Sequence, residues 1–238
     1  MNLFFKKPLF DIFKSLSVNK LIVLEGCDAA GKGTITNLIK DYYESIGKTV
    51  KYIHFPMYGH NEFSLIISKF LQGEYGDINN VDPMFVANIY AMDRYMYREQ
   101  LIKDLNDYDI VLMDRYVYSN LSFQGAKLYE KERDNIIEWI WDFEFNFLKL
   151  PYPNTIIYLD VPINDIENRL NSNRTGDDRD YLEGKKDIHE QDINFQSRVR
   201  EIYLSLVDNP NYFIINTYNK DYNILTPKQI FQKIKKLL

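Results

Sequence analysis

A glycine-rich loop near the beginning of the chain constrains the fold more than any other feature. The apolar stretch LIVLE, residues Leu21 to Glu25, runs directly into GCDAAGKGT, which fits the pattern GxxxxGK. In this pattern the glycines let successive backbone N–H groups point inward, and the lysine, here Lys32, reaches the outer phosphates of a nucleotide. A strand, a loop, a lysine and a helix in this order predict a bound nucleoside triphosphate. Its phosphates would be held by Gly26, Cys27, Asp28, Ala29, Ala30, Gly31, Lys32, Gly33 and Thr34.

The loop departs from its usual form directly after the lysine, where a Ser or Thr normally ligates magnesium. Here that residue is Gly33, and Thr34 comes one position late. Two arrangements stay open. Either Mg²⁺ is held mostly by phosphate oxygens and water, or Thr34 and a carboxylate such as Asp114 hold it through bridging waters. The three histidines follow no metal-ligand spacing, so we predict no histidine-bound metal.

Composition limits the class of protein. The chain has 238 residues, with 29 basic and 34 acidic side chains and a net charge of −5, which argues against nucleic-acid binding through bulk positive charge. Apolar residues make up 45% of the chain, enough for one packed domain. No apolar run approaches the roughly 18 to 20 residues of a membrane span, so we expect a soluble protein without a membrane partner.

The single cysteine, Cys27, has no partner for an intrachain disulfide, so we expect a reducing compartment, the cytoplasm. Its position in the loop, among many N–H donors, predicts a lowered thiol pKa. No histidine is near it in the sequence to act as a base. We therefore interpret Cys27 as a small filling residue and not as a nucleophile.

From Leu21 onward, short β-branched stretches alternate with longer helical ones, as a parallel sheet requires. We predict an α/β P-loop NTPase fold, with five parallel strands flanked by helices and a mobile lid, in one domain over residues 21–238. The predicted strands are 21–25, 49–54, 109–113, 154–159 and 212–215. The predicted helices are 32–45, 64–72, 83–105, 131–148, 163–170, 187–207 and 226–238. The charged stretch at about 171–187 would form the lid.

Residues 1–20 form a separate amphipathic extension that contains four lysines and no arginine. A short helix packed on the domain is the preferred interpretation, because no small-residue cleavage site follows. Targeting to an organelle by this segment stays open.

The third predicted strand and the residues after it read IVLMDRYVYSNLSFQG. This stretch helps to distinguish a GTPase from a kinase among phosphate-loop proteins. A GTPase would carry DxxG and NKxD, but no later glycine follows an Asp at that spacing, and NKDY, residues 219–222, misses the second motif. Asp114 and Arg115 instead lie at the carboxyl end of a central strand, where open α/β sheets bind ligands. Asp114 could hold magnesium through water, and Arg115 could clamp a phosphate with two parallel N–H bonds.

The segments DRYVYSNLSFQG, FVANIYAMDRYMYREQL and HFPMYG resemble the thymidylate kinase family in residues and spacing. The resemblance covers the chain from about Leu21 to the last helix, and it implies phosphoryl transfer from Mg·ATP to dTMP. It further implies that Arg94 and Arg115 hold the acceptor phosphate. Tyr90 would stack on thymine, and Asp28 would contact the 3′-hydroxyl. The acceptor site implied by the resemblance comprises Asp28, Phe55, Pro56, Tyr90, Arg94, Arg115, Ser119, Phe123 and Gln124.

The family places a catalytic arginine either in the phosphate loop or in the lid. The loop position is Ala29 here, so the resemblance assigns this role to Arg174 and Arg179 in the lid. Together with Lys32 and Asp28, they are the predicted catalytic residues. Glu183 and Glu190 both fit the family's acidic lid residue, and the choice between them stays open.

The resemblance also implies a homodimer. Some members have an arginine after the Phe-Pro turn that holds the acceptor phosphate, whereas this chain has MYGH at residues 57–60. Base selectivity is not fixed by these motifs. The alternatives are a deoxynucleoside kinase, a kinase for another deoxynucleoside monophosphate, and an inactive nucleotide-binding subunit.

Overall fold

A five-stranded parallel sheet organises the chain in the computed structural model, which describes residues 21–78, 80–172, 181–185 and 187–238. The strand order is β2-β3-β1-β4-β5, so β1 is central. Each predicted strand is confirmed to within one residue at either end. The strands are β1 (Leu21–Glu25), β2 (Val50–His54), β3 (Ile110–Asp114), β4 (Thr155–Asp160) and β5 (Tyr212–Asn216).

The three central strands β1, β3 and β4 are buried at every position. Their sequences, LIVLE, IVLMD and TIIYLD, are nearly continuous apolar runs, as expected for strands covered on both faces. Each of these strands ends in a carboxylate. The central part of the sheet therefore forms the core, and its acidic residues collect at the carboxyl edge.

Eight α-helices connect and cover the strands within the part of the chain that the structure describes. They are α1 (Lys32–Ser45), α2 (Glu62–Leu71), α3 (Pro83–Asp107), α4 (Val117–Gly125), α5 (Glu130–Trp141), α6 (Ile163–Leu170), α7 (Ile193–Ser205) and α8 (Pro227–Ile234). The start of α3 is as predicted. Asp82 accepts hydrogen bonds from the backbone N–H groups of Met84 (2.8 Å) and Phe85 (3.0 Å), and Pro83 occupies the first turn.

The helix predictions differ from the structure by more than two residues in four places, one of which is the last helix, predicted to reach residue 238 but ending as α8 at Ile234. Helix α4 was not predicted. The helix predicted over 131–148 ends as α5 at Trp141 and continues as a π-helical turn, Asp142–Phe147. The helix predicted from residue 187 begins only at Ile193, because Asp192 caps it by accepting from the N–H of Phe195 at 3.0 Å.

The register of the sheet determines which loops meet. Leu24 of β1 pairs with Asp114 of β3, and His54 of β2 pairs with the same Asp114. The loops that follow these three strands therefore leave one edge of the sheet side by side, as ligand-binding loops do in open α/β sheets. Among the described residues, no helix has the length and apolar character to cross a membrane. Residues 1–20 and positions 173–180 and 186 of the predicted lid lie outside the description.

Candidate active site

The phosphate loop joins β1 to α1. Gly31 has a φ of +88°, in the left-handed region that favours glycine, and it directly precedes the first turn of α1. A Cβ atom on Gly26 would lie 3.0 Å from the Cβ of Ala30, so any side chain at this position would crowd the loop. The ammonium of Lys32 lies across the loop and donates to the carbonyls of Gly26 (3.3 Å) and Cys27 (3.1 Å). These contacts hold the cation against the backbone of the phosphate loop.

Cys27 is a buried residue of the loop with an exposed fraction of 1%. Its Sγ lies 3.8 Å from the carbonyl oxygen of Gln196. Burial and then the nearby Asp28 raise the pKa of the Cys27 thiol to about 12. The predicted lowering of this pKa is therefore wrong, because desolvation outweighs the lowering by Lys32 and Arg115. The geometry agrees with a filling role.

Arg115 connects the end of β3 to the phosphate loop. Its φ of +67° turns the chain sharply after Asp114, and its N–H donates to the carbonyl of Leu24 at 2.9 Å. The guanidinium forms an ion pair with Asp28 and donates to the carbonyl of Gly26 at 3.2 Å. Although burial lowers the pKa of Arg115, Asp28 raises it above its usual value. The side chain is thus a fixed cation between the two segments.

Glu25, the last residue of β1, is a completely buried carboxylate that caps α4. It accepts from the backbone N–H groups of Tyr116 (2.9 Å) and Ser119 (3.2 Å), two of the free donors at the start of the helix. It also accepts from the Ser119 hydroxyl (2.6 Å) and the Tyr203 hydroxyl (2.8 Å). The residue before the phosphate loop therefore fixes the helix that follows Arg115.

A cavity of about 620 Å³ opens at this edge of the sheet. The phosphate loop from Asp28 to Thr34 lines one side, and Pro56, Tyr90 and residues of α4 line the other. Four residues of the lining carry a buried polar side-chain atom without a hydrogen-bond partner. These atoms are Asp114 Oδ1, Asn120 Oδ1, Gln124 Oε1 and His189 Nε2. Because unpaired buried polar atoms cost about 1–3 kcal/mol each, their concentration in one cavity indicates a polar ligand.

Comparison with known proteins agrees with this geometry. The family model described as thymidylate kinase matches residues 24–226, which is most of the chain. The chain belongs to the thymidylate kinase family. It is 30% identical over 186 residues to a thymidylate kinase of Mycobacterium tuberculosis, a match that covers 78% of this chain and 85% of that protein. It is 29% identical over 206 residues to a probable thymidylate kinase of Saccharolobus solfataricus, with 87% and 92% covered.

Solved structures of thymidylate kinases share the fold. The protein of Candida albicans superposes with a TM-score of 0.70 at 19% identity, with 92% of this chain and 90% of that chain covered. The protein of Ehrlichia chaffeensis gives a TM-score of 0.61 at 19% identity, with 92% and 97% covered. As a thymidylate kinase, the chain is an enzyme that converts dTMP to dTDP.

Several of the predicted acceptor residues of this thymidylate kinase do line the cavity. They come from the phosphate loop, the turn after β2, helix α3, the end of β3 and helix α4. They are Asp28, Pro56, Tyr90, Arg115, Ser119, Phe123 and Gln124. Phe55 does not line the cavity. It is 1% exposed and packs inward, with its ring 6.1 Å from that of Tyr116, because the strand alternation points it into the core.

Arg94 differs most from the prediction. Its guanidinium is 2% exposed and binds Glu144 through Nε at 2.5 Å and Nη2 at 2.6 Å. It does not line the cavity, so the geometry does not place it on the acceptor phosphate. The physical reason is that a buried cation needs an anionic partner, and Glu144 supplies one from 50 residues further along the chain.

The structure adds residues that the sequence reasoning missed. Asn120 lines the cavity from α4, and Asp187 and His189 line it from the turn before α7, beside the predicted Glu190. Burial, and then Asp28 and Glu190, raise the pKa of Asp187 to about 7. Asn120 lies within the segment DRYVYSNLSFQG, so this motif could have identified it as a site residue. Asp187 and His189 lie in a stretch that was predicted to be helical.

The lid predictions are decided only in part. Glu190 lines the cavity, whereas Glu183 is exposed and does not line it, so the geometry favours Glu190 as the acidic lid residue. Arg174 and Arg179 lie outside the described residues. Ala29, at the loop position where the resemblance implies an arginine in part of the family, lines the cavity. The loop thus brings Lys32 to the site and no second cation.

The described part of the protein offers few ligands for a magnesium ion at this site. Among the described residues, no group of three or more His, Cys, Asp or Glu side chains could enclose a metal. Asp114 has one unpaired buried oxygen at the cavity, and Thr34 lines it nearby. Although burial opposes its ionisation, Lys32 and His54 lower the pKa of Asp114 to about 2, so it is a carboxylate. One carboxylate plus phosphate oxygens and water suits Mg²⁺.

Proposed function

We propose that this thymidylate kinase transfers the γ-phosphoryl group of Mg·ATP to the phosphate of dTMP, and that the two nucleotides meet in the cavity described above. One observation carries the proposal. The phosphate loop and the acceptor-side residues, including Tyr90 and Asn120, line the same continuous cavity. A kinase needs both substrates in one enclosed space, because in-line transfer depends on positioning.

On the donor side, the N–H groups of the phosphate loop and the N-terminus of α1 bind the phosphates of ATP. Lys32 stabilises the charge that develops on the transferred group. The attacking oxygen belongs to a phosphate that is already anionic, so no side chain has to remove a proton from it. Arg174 and Arg179 stay the sequence-based prediction for a second cation.

The magnesium site would combine Asp114, and Thr34 through water, with phosphate oxygens of ATP. The ion, when bound, neutralises charge on the phosphates. This chain holds Asp114 for that role at the end of β3, where its unpaired oxygen lines the cavity.

On the acceptor side, Arg115 lies beside the phosphate loop as the cation available to the acceptor phosphate. Tyr90 and Phe123 offer aromatic surfaces for the base. The unpaired Oδ1 of Asn120 is a hydrogen-bond acceptor, and thymine presents a matching donor at N3–H. Asn120 therefore replaces Arg94 among the residues we propose to contact dTMP.

A substrate series tests this function. We expect an ADP-release assay to give the highest kcat/KM with dTMP, lower values with dUMP, dCMP and dGMP, and no turnover with thymidine. Thymidine should fail because a 5′-hydroxyl would need a general base, whereas the acceptor phosphate needs none. Turnover of thymidine without turnover of dTMP would instead make the protein a deoxynucleoside kinase. An inactive subunit would turn over ATP with none of the monophosphates.

We propose further that the enzyme is a homodimer that associates through one face of α3. This face carries four large apolar side chains at helical spacing, each between 39% and 56% exposed. They are Phe85, Tyr95, Met96 and Ile102. Clustered exposed apolar residues on one helix face are typical of a surface that another chain covers.

Replacing Met96 by glutamate should shift the protein from dimer to monomer, because the new charge would be buried at the contact. Sedimentation velocity at several concentrations measures this shift. Ile46→Glu is the control, since Ile46 is similarly exposed, at 53%, but lies at the end of α1. A wild-type protein that sediments as a monomer at all concentrations would refute the dimer.

A further inference from the structure

Glu144 is a buried carboxylate in the π-helical turn Asp142–Phe147, with an exposed fraction of 0%. It binds the guanidinium of Arg94 through both oxygens, at 2.5 and 2.6 Å. One of the same oxygens, Oε1, also accepts a hydrogen bond from Nδ2 of Asn120 at 2.8 Å. Glu144 thus connects a buried cation on α3 to a side chain that lines the cavity from α4.

The amide of Asn120 is held in one orientation by two acceptors. Its Nδ2 donates to Glu144 and to the carbonyl of Ala87 at 3.0 Å, which uses both of its hydrogens. Reversing the amide would place Oδ1 against a carboxylate and a carbonyl, neither of which can donate. The Oδ1 atom is therefore kept free of protein partners as a hydrogen-bond acceptor.

We propose that Glu144 is a specificity-determining positioning residue: by fixing the amide of Asn120, it presents an acceptor to the base and thereby selects thymine over cytosine. The inference rests on the proposed function, in which Asn120 faces the base of the acceptor nucleotide. Thymine and uracil carry a hydrogen on N3, whereas N3 of cytosine is itself an acceptor. An acceptor facing N3 can bind the N3–H of thymine or uracil. With cytosine, the lone pair of the acceptor would face the lone pair of N3, which is unfavourable.

The geometry explains why a carboxylate, and not an amide, at position 144 can fix the orientation of the Asn120 side chain without contacting the substrate. A glutamine at position 144 could donate to a reversed Asn120 amide as well as accept from the present one. A glutamate can only accept, so it permits one orientation. Arg94 makes the buried glutamate tolerable, because an unpaired buried carboxylate would be costly. This arrangement gives Arg94 a role beside the substrate site without contact to the acceptor phosphate.

The test compares acceptors in a Glu144→Gln variant, which keeps the size of the side chain and replaces one acceptor oxygen with an NH2 donor. We expect the ratio of kcat/KM for dTMP to that for dCMP to fall by about 10-fold, since a single base contact contributes about that much discrimination. The ratio for dTMP to dUMP should not change, because both bases carry N3–H. Glu138→Gln, an exposed position on α5, is the matched control and should leave both ratios unchanged.

A second variant covers the case in which Glu144→Gln does not fold. The double variant Arg94→Met/Glu144→Met replaces the ion pair with apolar side chains of similar length, an exchange that buried pairs often tolerate. It should lower the dTMP-to-dCMP ratio in the same way. A folded variant that loses activity equally toward dTMP, dUMP and dCMP would overturn the proposal, because that is the result of a structural role alone.

Failure of the proposed function looks different. If the wild-type enzyme showed no preference for dTMP over dCMP, then Asn120 would not read the base, whatever the variants do. If the wild type prefers dTMP and the folded variants keep that preference, base recognition stands and the role of Glu144 does not.

Discussion

Replacing Lys32 by methionine should lower kcat with dTMP and ATP by at least about 100-fold. This is the usual effect of removing one preorganised group that stabilises charge in the transition state. Lys32 is 7% exposed, and its ammonium is held by the carbonyls of Gly26 and Cys27 within the phosphate loop. Methionine keeps most of the length and the apolar part of the side chain, and it removes the ammonium with its hydrogen bonds to the loop. Steady-state kinetics at saturating ATP and dTMP measures the change.

A matched substitution lies on the same helix. Lys40→Met removes a partly exposed lysine whose contact is an ion pair with Glu44 at 3.9 Å, and it should leave kcat unchanged. If Lys32→Met kept more than half of the wild-type kcat while Lys40→Met behaved as expected, Lys32 would not act on the transferred phosphate. The catalytic cation would then have to come from another part of the chain.

Replacing Arg94 by alanine should lower the free energy of unfolding by about 3–5 kcal/mol, because it leaves the carboxylate of Glu144 buried without its partner. The pair is among the most buried charges in the described part of the protein, with exposed fractions of 2% and 0%. Although burial lowers the pKa of Arg94, Glu144 raises it, so the guanidinium stays charged. Urea denaturation followed by circular dichroism measures the loss.

Two further variants serve as a control and a rescue for the Arg94→Ala measurement. Arg98→Ala, one turn further along α3, removes an exposed guanidinium that donates to the carbonyl of Lys149 at 2.8 Å, and should cost about 1 kcal/mol or less. The double variant Arg94→Met/Glu144→Met should recover most of the stability that Arg94→Ala loses. If Arg94→Ala were as stable as wild type but had a raised KM for dTMP, Arg94 would contact the acceptor phosphate, as the family resemblance implies.

The sheet was predictable because its signals are local. Strands β1, β3 and β4 are apolar runs that need cover on both faces, and the glycine pattern after β1 specifies the loop and the helix that follow. The same local signals placed Asp114 and Arg115 at the carboxyl end of β3. The residues of the phosphate loop therefore follow from the order of residues alone, whereas the acceptor-side residues were implied by the family resemblance.

The remaining differences come from contacts between distant segments. Helix α4 lacks a capping side chain of its own and takes its cap from Glu25, 91 residues before Tyr116. Arg94 is withdrawn from the cavity by Glu144. Cys27 is desolvated by the domain packed around it. None of these effects is visible in a window of neighbouring residues, because each depends on which elements the fold brings together.

The cap that Glu25 forms on α4 limits the ways in which the enzyme's preference for an acceptor nucleotide could change. Glu25 belongs to the strand that carries the phosphate loop, and it anchors the helix that carries Asn120 and Phe123. The donor and acceptor halves are therefore joined by this carboxylate, in addition to the ion pair of Arg115 with Asp28, and moving α4 would break these contacts. New acceptor preferences would have to arise by exchanging side chains on a fixed frame, and not by moving the helix.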